Sequence, residues 1–251
     1  MSSALITTLQ PPPFSPLDIP NLKLWLRADT IGLADGTAVT DWLDSSGNAA
    51  HFSQTGGNRP LYKTGIQNGK PVVRFDGSND YVLGNAAARA ISNNVAALTI
   101  YMVMQTTKPG SEKNPLYIGT NSGGSRATIT REVSAGKFGV KGRRLDADTI
   151  QTKSGGSFSA GEWGIDVAVF DFASAKVYYY RNNTLVIDGE TFQTDGNTSA
   201  TDSSLFYIGS GNGAAYINGD IASVLVYTGV HGANEITRLS QHYSQQYGIS
   251  I

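Results

Sequence analysis

The 251-residue chain contains no cysteine and only five glutamates, Glu112, Glu132, Glu162, Glu190 and Glu235. Without cysteine it can have no disulfide framework, no thiolate zinc site and no cysteine nucleophile. Five Glu and nine Lys are too few strong helix formers for a coiled coil or a helical bundle. Charged residues make up 16% of the chain, against a usual ~25%. Nineteen basic residues face 20 acidic ones, which leaves no basic excess for a polyanion, so no nucleic-acid partner is expected. No apolar run approaches the ~20 residues of a membrane-spanning helix, so no membrane insertion is expected. The first ten residues carry no positive charge before Ala4-Leu5-Ile6 and lead into Pro11-Pro12-Pro13, not into a small-residue cleavage site. No signal peptide is expected, and with it synthesis in a cytoplasm without export by the usual route. Disorder is disfavoured by 40% apolar residues and a net charge of −1.

Small polar residues are what the chain has in quantity: Gly, Ser, Thr and Asn account for 91 positions. They gather in turn clusters such as Ser45-Ser46-Gly47-Asn48, Asp76-Gly77-Ser78-Asn79, Ser122-Gly123-Gly124-Ser125 and Ser210-Gly211-Asn212-Gly213. Between the clusters lie short β-rich stretches. Leu22 to Leu26 alternates with period two, as does Ala127 to Val133. Leu98 to Gln105 puts Ile100, Met102 and Met104 on one face. Trp163, Ile165, Val167 and Val169 share a face, and Asp166, Ala168 and Phe170 share the other. Val177–Arg181 and Leu185–Ile187 flank Asn182-Asn183, a pair tolerant of positive φ, which predicts a hairpin. Val72–Phe75, Leu205–Ile208 and Ile221–Tyr227 complete the set. The spacing predicts an all-β sandwich. One helix ends the chain: Ile236, Leu239, Tyr243 and Tyr247 form a single apolar stripe, with Asn234 as a possible N-cap and Gly248 at the C-terminal cap. Residues 1–18, with Pro11, Pro12, Pro13 and Pro16, read as an extended Pro-rich arm. Its greasy points Leu5, Ile6, Leu9 and Phe14 are candidates for anchoring on a neighbouring subunit. Residues 19–251 read as one domain.

The order of motifs resembles a known family. Leu22 to Asp29, Trp42 to Asn48, Arg59-Pro60, Asn68 to Tyr81, Leu205 to Ser210 and Gly219 to Tyr227 are similar, in sequence and spacing, to bacterial and phage concanavalin A-like, laminin-G-like jelly rolls. The resemblance covers roughly residues 20–250. It implies a concanavalin A-like jelly-roll sandwich of two antiparallel sheets with a C-terminal helix. That architecture hosts lectins, adhesins, glycosidases and virion proteins, so function must be read from a site.

A glycosidase needs two carboxylates flanking the scissile bond. The Glu-x-Asp-x-x-Glu pattern that the resemblance implies for endoglucanases is absent. Glu162 and Asp166 come nearest; Glu162 reads as a solvated turn residue, and Asp166 either faces a concave surface or contacts Lys or Arg across the sheet. His51, His231 and His242 lack ligand spacing, and no Gly-x-Ser-x-Gly elbow occurs. Asp76-Gly77-Ser78-Asn79-Asp80 is oxygen-rich but fails the EF-hand pattern, with Tyr81 where Gly belongs and Ala87 where the bidentate Glu belongs. It reads as a tight turn in which Asp76 bonds nearby backbone N–H groups. No catalytic residue, metal or cofactor is therefore expected. For glycan or partner binding the candidates are Tyr178 and Tyr180, which share a strand face, together with Arg126, Arg143 and Asp148 in polar loops. If Val177 and Tyr179 point inward, Tyr178 and Tyr180 form a platform; otherwise the strand is buried on both faces.

These features lead to two expectations. The first is a non-catalytic bacteriophage virion protein (tail, fibre or capsid accessory), its arm held by another virion protein or by a second copy. The second is a carbohydrate-binding lectin or adhesin with a cell-surface glycan as ligand. A glycoside hydrolase is the disfavoured third.

Overall fold

A computed structural model describes residues 14–107, 110–120, 124–132, 136–192, 194–201 and 205–251. The strands in chain order are β1 (Leu22–Arg27), β2 (Asp41–Trp42), β3 (Phe52–Ser53), β4 (Leu61–Gln67), β5 (Lys70–Asp76), β6 (Val82–Gly84), β7 (Ala97–Thr106), β8 (Lys113–Gly119), β9 (Ser125–Glu132), β10 (Lys137–Gly142), β11 (Gln151–Gly155), β12 (Gly164–Asp171), β13 (Lys176–Arg181), β14 (Thr184–Thr191), β15 (Leu205–Ile208) and β16 (Asn218–Thr228). A short helix α1 (Ala86–Ala90) follows β6, and α2 (Ala233–Tyr247) ends the fold.

The strands form two eight-stranded antiparallel sheets, as expected. Sheet A runs β14-β13-β12-β7-β16-β5-β4, with β1 paired to the second half of β16. Sheet B runs β11-β10-β9-β8-β15-β6-β3-β2. Between them lies the main core, where Trp42, Phe52, Phe75, Phe170 and Phe206 are fully buried. A second core covers the other face of sheet A: Tyr101, Val103, Val167 and Leu225 pack under Ile236, Leu239, Tyr243 and Tyr247 of α2. Sheet A is thus the middle of three layers. This is why β7 and β16 read as nearly unbroken apolar runs while β13 alternates.

Local chemistry accounts for the joints. Asn182 and Asn183 take positive φ at 49° and 64°, closing the predicted β13–β14 hairpin. The Asp76 Oδ1 atom accepts the N–H groups of Ser78 and Asn79 at 2.8 and 3.2 Å, so this segment is the tight turn its sequence suggests. The helix cap differs from expectation by two positions. Gly232 is the N-cap rather than Asn234, and its N–H donates to Glu235 Oε2 at 3.0 Å. Gly248 ends the helix in the left-handed region, at φ 62°.

The segment before β1 belongs to the domain from residue 14 onward. Pro16 is buried in a 3-10 turn capped by Ser15, and the Tyr227 hydroxyl donates to Pro16 O at 3.0 Å. Phe14, an anchoring candidate for a neighbouring subunit, instead packs on α2 of its own chain, 4.6 Å from the Arg238 guanidinium and 5.5 Å from the His242 ring. Leu5, Ile6 and Leu9 lie outside the described residues.

Candidate functional site

Alternation along sheet B decides which side chains face outward. Leu116, Ile118, Ile129, Val140, Phe206 and Ile208 fill the main core, so their strand neighbours project from the opposite face. Cross-strand register then aligns one outward row: Lys141, Thr128, Tyr117, Tyr207, Leu83, Ser53 and Asp41, each directly opposite the next. Beside the row stand Tyr81 and Tyr216. Ring centroids are 6.5 Å apart for Tyr117–Tyr207, 5.1 Å for Tyr207–Tyr81 and 6.5 Å for Tyr81–Tyr216. Four tyrosines from four segments therefore form one aromatic cluster. Tyr207, Tyr81 and Tyr216 are half-buried, and Tyr117 is 5% exposed.

Next to the cluster is a pocket of about 230 Å³ lined by Asn114, Tyr117, Ser125, Thr128, Lys141, Gly211, Asn212 and Ala214. Of these, Tyr117 and Thr128 are buried, whereas Asn212 and Ala214 are exposed. Burial pushes the Tyr117 hydroxyl up to about 12, so it stays protonated and donates to Thr120 O at 3.4 Å. Lys141 pairs with Glu112 at 3.2 Å. No carboxylate lines the pocket among the described residues. An aromatic patch beside convergent hydroxyl, amide and ammonium groups suits a ligand with both an apolar face and many hydroxyls.

Most residues singled out from sequence lie elsewhere. Val177 and Tyr179 do point inward, and Tyr178 and Tyr180 sit half-buried on the outer face of sheet A at the margin of the α2 core. That is the opposite side of the molecule from the sheet B face. Arg143 comes nearest to the pocket: its Nη2 donates to Thr120 Oγ1 at 3.4 Å, and Thr120 O accepts from Tyr117. Asp148 closes a turn by accepting the Leu145 N–H at 2.9 Å.

Arg126 is buried, and both of its terminal nitrogens are engaged within the protein, which removes it from the ligand candidates. It donates to Ser92 O, Ser92 Oγ, Asn93 Oδ1 and Thr201 O at 3.1–3.2 Å, and it pairs with Asp146 at 3.0 Å. Arg126→Met is expected to lower stability by about 3 kcal/mol, because the carbonyls and carboxylate it serves lose their partner. Urea denaturation checks this; a variant of wild-type stability with impaired ligand binding would return Arg126 to the candidates.

Asp166, the carboxylate nearest to a catalytic pattern, faces the interior. Its Oδ2 accepts from Arg131 at 2.6 Å and from Arg181 at 2.9 Å, and its Oδ1 accepts the Tyr179 hydroxyl at 2.7 Å. Burial alone pushes this carboxyl up, but the two guanidinium charges and the tyrosine hydrogen bond outweigh it and hold it below its ordinary value. An enclosed carboxylate held in its ionised form by two guanidinium groups is neither a proton donor nor a nucleophile for an outside substrate. Glu162 is the turn residue expected, accepting the Ser159 N–H at 3.0 Å.

Sequence reasoning missed Tyr117, Tyr207, Tyr81 and Tyr216 as a site. Leu116-Tyr117-Ile118 and Phe206-Tyr207-Ile208 do carry a signal, since a tyrosine between two apolar residues is turned to the opposite face.

Comparison with known proteins agrees with this architecture. Three solved structures resemble most of the chain. They are the Trypanosoma rangeli sialidase in complex with the inhibitor DANA (TM-score 0.63, 14% identity, 87% of this chain and 32% of that one), the binding domain of Paraclostridial mosquitocidal protein 1 (0.66, 13%, 90% and 53%) and the binding domain of botulinum neurotoxin DC in complex with SialylT (0.63, 13%, 89% and 52%). At these identities the likeness is one of fold. The chain spans about a third of the sialidase and about half of the two toxin chains. No curated protein sequence matches it. The sequence profile of the concanavalin A-like lectin/glucanases superfamily matches residues 75–237, and the chain belongs to that superfamily.

Proposed function

We propose that the chain is a non-catalytic carbohydrate-binding module, displayed on a virion or cell surface, that reads sugars on the outer face of sheet B. The tyrosine cluster beside the 230 Å³ polar pocket carries this reading. Pyranose rings present an apolar C–H face that stacks on an aromatic ring, and hydroxyl edges that hydrogen-bond to amides, hydroxyls and ammonium groups. Sheet B is the sheet whose outer face α2 leaves free, since α2 packs on sheet A. The sialidase and toxin structures support the reading, because they are complexes with DANA and with SialylT. The absence of a carboxylate pair at the pocket, with Asp166 enclosed in the interior, supports binding without turnover.

A glycan array followed by titration of the best oligosaccharide tests the site. Tyr207→Ala is expected to weaken binding about tenfold, near the loss of one aromatic stacking contact. Tyr178→Ala, on the other sheet, is expected to leave it unchanged. A blank array, or equal binding by wild type and Tyr207→Ala, would overturn the site; release of reducing sugar would overturn the non-catalytic assignment.

A further inference from the structure

A second, smaller cavity adjoins the tyrosine cluster through Tyr216. It measures about 110 Å³ and lies where the starts of β8 and β16 meet the end of β7, lined by Thr106, Lys113, Arg131, Tyr216 and Asn218, with the Asp76-Gly77 turn at its side. A volume this small, under half that of the pocket beside Tyr117, admits a substituent and not a whole sugar ring.

Three observations indicate what would enter. Lys113 is half-buried, and its ammonium has no carboxylate or hydrogen-bond partner among the described residues. Thr106 is 5% exposed, and its Oγ1 is buried without a partner. Such an orphan hydroxyl costs free energy unless something in the cavity meets it. Behind the wall, Arg131 and Arg181 share the single buried carboxylate of Asp166. Arg181 has a second, longer contact with Glu162 at 3.9 Å, whose side chain is 45% exposed. Two guanidinium groups thus face one buried carboxylate among the described residues, which favours an anion in the cavity. Asp76 opposes this from the side, but its Oδ1 is turned into its own loop by two backbone N–H groups.

Resting on the carbohydrate reading, we propose that the ligand is an acidic glycan. Its anionic substituent, a carboxylate or a sulfate, enters this cavity, where the Lys113 ammonium neutralises it and the Thr106 hydroxyl donates to it, while its sugar ring lies against Tyr216. The unpaired cation and the orphan donor belong to one small cavity that opens beside the aromatic face.

The test uses an array of matched neutral, carboxylated and sulfated forms of the same oligosaccharides, read with wild type, Lys113→Met and Thr106→Val. Wild type is expected to bind an acidic form at least tenfold more tightly than its neutral counterpart, and the carboxylated and sulfated arms identify the anion. Lys113→Met is expected to abolish that preference while still binding the neutral form, and Thr106→Val to reduce the preference severalfold. Equal binding of neutral and acidic forms by wild type, or a preference that survives Lys113→Met, overturns the acidic-ligand proposal and leaves the carbohydrate site standing. Binding of none of the three forms overturns both.

Discussion

Asp166→Ala is expected to destabilise the protein by about 4 kcal/mol, the scale for removing one partner of a buried ion pair. The carboxylate bridges Arg131 and Arg181 inside the sandwich, and no other carboxylate comes within ion-pairing distance of Arg131 among the described residues. Without it two buried guanidinium groups remain close together on the rings of Phe138 and Phe158, with only the long, half-exposed contact of Arg181 to Glu162 as compensating charge. Asp166→Asn should lose less, because an amide oxygen still accepts a hydrogen bond although it carries no charge. Glu162→Gln should change stability by less than about 0.5 kcal/mol, since its contact with Arg181 is long and half-exposed. Urea denaturation of the three variants measures this order. Because the folded pKa of Asp166 lies below its unfolded value, its contribution is complete above about pH 4 and is lost as pH falls further. Stability of Asp166→Ala within 1 kcal/mol of wild type would refute the network as a structural centre.

Between pH 6.5 and 4 two buried groups are expected to oppose one another, and removing either should reveal the other. His231 packs against Tyr227 at 4.3 Å, and its Nδ1 lies 2.8 Å from the Tyr101 hydroxyl. Burial depresses its pKa from 6.5 to about 4, against a small opposing effect of Glu235. The unfolded chain takes up this proton first, so stability falls by about 3 kcal/mol as pH drops through that window. Asp80 is the reverse case. Burial raises its pKa from 3.8 to about 6, and the charge of Asp76 adds to this, although the Asp76 N–H bond to Asp80 Oδ2 at 3.0 Å pulls the other way. The folded state takes up this proton first, so stability rises by about 3 kcal/mol as pH falls from 6 toward 4. In wild type these two slopes nearly cancel, and His242, whose pKa burial also lowers, adds a further loss of stability on acidification that is common to all three proteins. Asp80→Asn, which keeps an acceptor for the Asp76 N–H, should become acid-labile across this window. His231→Gln should grow more stable on acidification, whatever its stability at pH 7. Denaturation midpoints at half-unit steps of pH provide the comparison; parallel profiles for all three proteins would refute the pairing.

The fold could be read from local chemistry to a large extent. The β13–β14 hairpin was announced by Asn182-Asn183, α2 by its Ile236–Tyr247 stripe, and β7, β12 and β16 by runs of apolar and β-branched residues. Strands with weaker signals escaped. β4 carries Gly65 in the left-handed region at φ 66°, which breaks its alternation. β8 contains Pro115, and the edge strand β11 has no apolar residue at all, since an edge strand can pair without supplying core. The cap of α2 was misplaced because Glu235 reaches back to the Gly232 N–H, a geometry that favours the glycine over the more usual Asn234.

By itself the sequence determined composition class, strand and helix character, the face on which each strand residue projects, and, through the order of its motifs, the superfamily. Those properties are set over a few residues by propensity and by periods of 2 and 3.6. The tertiary structure alone decided which faces meet. Tyr117 and Tyr207 stand directly opposite each other although they are far apart in the chain, because β15 inserts between β8 and β6. The same sheet order brings Tyr81 and Tyr216 to their side. Tyr178 and Tyr180, equally aromatic and equally alternating, lie on the sheet whose outer face α2 covers. Asp166 and Arg126, open to several readings as isolated charges, became interior groups once their partners arrived from distant strands and loops. Period shows which way a side chain points; only sheet order and layer packing determine whether it meets solvent, a ligand or another charge.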